Sequence, residues 1–149
     1  CFGVDLVSSI KARRATDEPL PWMLAAPRKL ERKVRDHVWL RMVDVAAALA
    51  ARRYDQEGSL VFDVEDSFCE WNEARLELIG SPDGADCRTS NKTPDLALSA
   101  ADLAATYLGG VRFTTLARAG RVEELTPEAL QRADAMFATP HQPWTPKIM

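Results

Sequence analysis

Two periods of hydrophobic and polar residues alternate along this chain. In LVFDVED, Leu60, Phe62 and Val64 fall on one side and Asp63 and Glu65 on the other; ARLELIG repeats the pattern, with Ala74, Leu76 and Leu78 against Arg75 and Glu77. A period of two marks a strand with one buried and one wet face, the habit of antiparallel sheets, so these two segments are expected to pair. SPDG at 81–84 sets Pro82 and Gly84 at favoured turn positions. Residues 85–90 should then form the next strand, followed by PDLALS with Leu96 and Leu98 inward. HVWLRMVDV predicts a further half-buried strand with Val38, Leu40 and Met42 on one face, and residues 4–14 predict a short strand running into the basic KARR.

Elsewhere the period is helical. Asp44 is placed to cap an alanine-rich helix in which Val45, Ala48 and Leu49 share a face. Ser99 opens the capping-box-like SAAD, with Leu103, Tyr107 and Leu108 following until Gly109 and Gly110. TTLARAG predicts a short helix closed by Gly120. Thr126 and Pro127 start another, with Ala129, Leu130, Ala133 and Phe137 as its apolar stripe. A short helix is expected in TDEPLPW, capped by Thr16 or Asp17 and limited by Pro27, and the tail PHQPWTPKIM reads as extended. The sum is an α+β fold, a mostly antiparallel sheet packed by helices.

Composition narrows the class. The 149 residues are 46% hydrophobic, enough for one domain with a true core. Basic and acidic residues number 19 and 22, so no overall field draws the chain to nucleic acid or an anionic membrane. No apolar stretch approaches a bilayer span, and no signal-peptide pattern opens the chain. Cys1, Cys69 and Cys87 have neither a disulfide framework nor a C-x-x-C spacing, which fits reduced thiols and a cytoplasmic location. The chain opens on Cys1 in a strand-like run, so its N-terminus reads as cut and the whole as the C-terminal part of a larger bacterial-type protein.

Candidate chemistry is sparse. His37 and His141 stand far apart and in no metal-ligand spacing. Asp63, Glu65 and Asp66 resemble paired carboxylates, but alternation puts Asp63 and Glu65 on the wet face and favours a solvated run. LGGVRF lacks a phosphate-loop pattern and follows a helix, so it reads as a helix stop and turn. The basic positions Arg13, Arg14, Arg28, Lys29, Arg32, Lys33 and Arg35 are interspersed with acids, as on a solvated face or domain interface. No serine or cysteine has a base and an orienting partner.

The residues LPWMLAAPRKL, HVWLRMVDVAAALAARRY, LVFDVED, TPDLALSAADLAATYLGGVRFTTLARAGRV and ADAMFATPHQPW, in this order and spacing, resemble the C-terminal portion of the Eis-like acetyltransferases of the GNAT family. The more specific elements are D-V-x-x-A-L-x-x-R-x-Y, Y-L-G-G and L-A-R-A-G-R-V. The resemblance implies that residues 1–30 are the end of a GNAT-like region and linker, and residues 31–149 a domain like sterol carrier protein 2. It implies an acetyl-CoA-dependent N-acetyltransferase acting on amines, with acetyl-CoA bound by N-terminal GNAT regions of the same parent chain and absent from this fragment, which alone is inactive. It further implies homo-oligomers, and a chain terminus entering the substrate cleft, which makes the α-carboxylate of Met149 the candidate catalytic group; nucleic acid and membrane are not expected partners. An alternative of another class is a carrier of lipid or other apolar ligands, its cavity lined by Phe62, Leu76, Leu103 and Phe137. A third is a domain that chiefly supplies an oligomer interface through its exposed Trp39 side.

Overall fold

The computed structural model describes residues 9–36 and 38–146. They fall into two compact units, one of residues before 36 and after 140, the other Asp36–Pro140.

In the larger unit, β1 (Gly58–Glu65), β2 (Ala74–Ser81), β3 (Gly84–Thr89), β4 (Leu96–Ser99) and β5 (Val122–Glu124) form one sheet in the order β3-β2-β1-β4-β5. β1 pairs antiparallel with β2, as the alternation predicts, and parallel with β4; the other two pairings are antiparallel. Register joins the inward residues into transverse rows: Leu76, Phe62 and Leu96 align, as do Ala74, Val64, Leu98 and Val122. Because side chains alternate strictly, this register puts every large apolar residue of a row on the same face.

That face is covered by α2 (Val45–Ala50), α3 (Ala100–Tyr107), α4 (Phe113–Arg118) and α5 (Ala129–Phe137). All four helices contribute to the one core that the inner rows form, leaving the other sheet face uncovered by any of them. The expected caps are made: the Ala47 amide donates to Asp44 at 2.9 Å, and the Asp102 amide to Ser99 at 3.1 Å. Gly109 and Gly120 follow α3 and α4 in the left-handed region that favours glycine. α5 begins later than Thr126–Pro127 suggest, at Ala129, after Glu128 with φ of 63°. The sequence pattern does not mark β5 as a strand; its three residues qualify only because they pair with β4.

The aromatic packing locks the layers together. Phe62 of β1 lies 6.1 Å from Phe113 of α4 and 6.3 Å from Phe137 of α5, and the latter two rings meet edge to face at 4.9 Å. Phe137 also meets Tyr54 at 5.1 Å. Arg52 closes this cluster with its guanidinium 4.5 Å from the Phe137 ring and 4.7 Å from that of Tyr54, donating to the carbonyls of Tyr107 and Phe137. At Gly80 a Cβ would stand 2.5 Å from the Tyr54 ring, so only glycine lets that ring lie on the strand.

Three expectations fail. Residues 38–42 form no strand: Met42 is buried, but Val38, Trp39 and Leu40 are exposed, and the segment finds no sheet edge to pair with. Alternation supplies a pattern, whereas a strand also needs a partner backbone. Residues 9–14 carry no regular structure, while the rest of the expected opening strand lies outside the described residues. In the smaller unit α1 (Leu20–Met23) forms, but Pro19 is its N-cap and no side chain caps it. Asp17 instead accepts from the Gln142 amide at 2.9 Å, which holds its carboxyl below the usual range. Arg32 donates to the Thr16 carbonyl there.

Phe137→Ala removes a ring touching three others and is expected to destabilise the chain by about 3–5 kcal/mol, measured by urea unfolding. A cost below about 1 kcal/mol would show that the aromatic cluster does not join the layers.

Candidate functional site

At the carboxyl end of β1 the chain turns through residues 66–73, and Asp66 organises this loop. The alternation expects Asp66 in a solvated acidic run; it is instead 4% exposed. Its carboxylate pairs with the Arg41 guanidinium and accepts from Asn72 Nδ2 at 2.9 Å and from the Phe68 and Cys69 amides, each at 3.1 Å. Asn72 in turn accepts from the Val45 amide at 3.1 Å, tying the loop to the start of α2. Burial pushes the Asp66 carboxyl up, but these hydrogen bonds and Arg41 together outweigh it and hold the carboxyl well below the usual range. No local pattern announces this, since Arg41 is 25 residues away.

Beside the loop, on the uncovered sheet face, lies an open concavity of about 540 Å³ lined by Asp63, Glu65, Ser67, Glu73, Arg75 and Ser99, with Val64 and Ala74 at its base. Asp63 and Arg75 face each other across β1 and β2 at 3.4 Å. Glu65 is exposed, as the alternation predicts. Three carboxylates against one guanidinium make this a place for a cationic group; the lining holds no nucleophile with an adjacent base. Farther along the same face, Glu77 points outward as expected yet is buried, because Lys92 and Arg88 lie over it.

The structure brings few of the sequence candidates together. Met149 and His37 lie outside the described residues. His141 is exposed, its Nδ1 3.7 Å from Asp17. Arg13, Arg14, Arg28, Lys29, Arg32, Lys33 and Arg35 are all exposed, and Arg14 lies 3.6 Å from Glu18. After LGGVR, the Phe113 amide donates to Asp134 Oδ1 at 2.6 Å and the Thr114 hydroxyl to Oδ2 at 2.5 Å, so a protein carboxylate occupies the start of α4. Phe62, Leu76, Leu103 and Phe137 do not line an open cavity: all are buried in the shared core, and the rings of Phe62 and Phe137 touch each other and Phe113. Among the described residues, no group of three or more His, Cys, Asp or Glu is placed to hold a metal, and no helix is long and apolar enough to cross a membrane.

A five-stranded mixed sheet with helices on one face is the architecture the resemblance implied. Residues 45–146 match the sterol carrier protein domain family, and the chain belongs to it. The chain also corresponds to the C-terminal portion of Eis-like N-acetyltransferases. An uncharacterized N-acetyltransferase of Streptomyces avermitilis is 45% identical over 146 residues, which are 97% of this chain and 36% of that protein. The N-acetyltransferase Eis of Mycobacterium tuberculosis is 32% identical over 142 residues, 93% of this chain and 34% of Eis. The crystal structure of Eis1 from Mycobacterium abscessus superposes with a TM-score of 0.79 at 40% identity, covering 90% of this chain and 34% of that one. The chain thus spans about a third of the length of the curated relatives it matches.

Two outcomes follow from the site. The stability Asp66 supplies is complete above about pH 4, the ordinary carboxyl value of the unfolded chain, and is lost as pH falls toward the lowered folded-state value. The difference in urea midpoint between the chain and Asp66→Asn should therefore be largest near neutrality and shrink below about pH 4; a difference unchanged with pH would remove the charge from the account. Cys87 is free, and burial pushes its thiol up to about 11. Alkylation of Cys87 at pH 8, followed by mass spectrometry, should run roughly a hundredfold slower than that of an exposed thiol.

Proposed function

We propose that this chain is the structural and substrate-cleft domain at the C-terminal end of an acetyl-CoA-dependent N-acetyltransferase acting on amines, and that it is inactive by itself. The observation that carries this reading is the match of nearly its whole length to N-acetyltransferases of which it makes up about a third. On this reading residues 1–30 end a GNAT-like region and linker, and residues 31–149 are the carrier-like domain. Acetyl-CoA, the cosubstrate, is held by the N-terminal regions of the parent, which works as a homo-oligomer in the cytoplasm.

The α-carboxylate of Met149 is the group proposed to act. A carboxylate attracts an ammonium substrate and accepts its proton, freeing the nitrogen lone pair. The neutral amine then bonds to the acetyl carbon as the carbon–sulfur bond breaks and the thiolate takes up a proton. The prolines Pro140, Pro143 and Pro146 make the tail a stiff arm for delivering that terminus. The surplus of carboxylates around the concavity at Asp63, Glu65 and Glu73 suits a protein that handles cationic amines. The carrier reading is the weaker one, because the side chains that would line a ligand cavity fill the core with one another.

The test is acetyl-CoA turnover by the full-length parent with polyamine, aminoglycoside and lysine-peptide acceptors, with and without residues 144–149. Removing the tail should lower kcat by about a hundredfold or more, and the 149-residue chain alone should turn over nothing. Activity that survives truncation would make Met149 a bystander. Absence of activity with every acceptor would move the reading to a carrier or assembly role.

A further inference from the structure

The largest exposed apolar groups of the Asp36–Pro140 unit gather where the chain enters it. Phe68 is 80% exposed, Trp71 70% and Val43 65%. They are neighbours: the Trp71 indole N–H donates to the Val43 carbonyl at 2.8 Å, and the Arg41 guanidinium lies 5.1 Å from the Phe68 ring. Trp39, two residues before Arg41, is 86% exposed. Isolated exposed hydrophobes need no account, but aromatic residues clustered in this way mark a surface that another surface covers.

The patch is also rigid. Asp66 fixes the backbone at Phe68 and Cys69 and holds Asn72, so the loop presents its aromatic rings without first having to be ordered. Pre-organised Trp and Phe anchors are the usual centre of an interface, since little entropy remains to be lost when they dock. Ser67 and Glu73, flanking the same loop, line the acidic concavity, which gives the patch a receptor for a basic side chain.

We propose that the surface of Val43, Phe68 and Trp71, with the acidic concavity beside it, is the docking face for the part of the same polypeptide that precedes this domain, and that this part presents an apolar patch with a lysine or arginine. The inference rests on the reading that the chain is the C-terminal domain of a longer acetyltransferase. Nearly two thirds of the relatives' length lies outside the match. A preceding portion arrives through residues 36–44, beside the patch, and is tethered there at an effective concentration in the millimolar range that a free partner rarely reaches.

Hydroxyl-radical footprinting of Phe68 and Trp71, in the full-length parent and in the 149-residue chain at low and high concentration, tests the assignment. Labelling about tenfold slower in the parent, with no dependence on concentration in the 149-residue chain, is the expected result. Equal labelling in both overturns the proposal, and so does protection that appears in the 149-residue chain as its concentration rises, which would make the patch an interface between copies. Phe68→Asp combined with Trp71→Asp should leave the unfolding midpoint of the 149-residue chain unchanged while raising cleavage by a protease between the domain and the preceding portion of the parent severalfold; unchanged cleavage counts against docking. A protected patch in a parent that acetylates no amine keeps the docking and removes the functional reading, whereas a labelled patch in an active parent removes the docking alone.

Discussion

The contact of Phe62 with Phe113 and Phe137 is where the sheet and helices of this protein become one body. Phe62 sits on β1, the middle strand, in register with Leu76 on one side and Leu96 on the other, so fixing it fixes three strands. Phe113 and Phe137 bring α4 and α5 onto that row, and Tyr54 with Arg52 extends the cluster to the end of α2. A ring set that interlocks edge to face tolerates few arrangements, because each aromatic pair has a preferred geometry beyond its buried area. The same interlocking removes the space an apolar ligand would need. A fold shared with sterol carriers therefore does not bring their ligand with it.

With the inner face committed to the core, chemistry is left to the outer face and its margins. There one buried carboxylate, Asp66, has the organising role. It is costly to bury alone, and the structure surrounds it with Arg41, Asn72 and two backbone amides. The result is a stiff loop with aromatic side chains outside it and acidic ones beside it. A surface of that kind fits a domain that works against other parts of a larger enzyme, which agrees with its share of the relatives' length.

Several local devices are legible in the residues alone. Asp44 and Ser99 cap helices within three residues of themselves, and SPDG turns β2 into β3 within four. The alternation in β1 and β2 names the inward residues correctly. What escapes a local reading is whatever depends on distant partners. The run 38–42 has a strand's pattern and no edge to join. Glu77 has an outward position and is buried by Lys92 and Arg88. The amide of Phe113 is satisfied by Asp134, 21 residues later in the chain.

The sequence by itself determined the α+β class, the inward face of each main strand, the principal helix caps and the family resemblance, because propensity, side-chain period and capping act over a few residues. Only the tertiary structure decided that β1 and β4 run parallel, that three residues at Val122–Glu124 are a strand, and that Asp66 is a buried centre rather than part of a solvated run. It also decided that Phe62 and Phe137 close the core instead of opening a pocket. Each of these rests on which residues meet across tens of positions of chain, and that meeting is set by the packing of the whole domain, not by any window of its sequence.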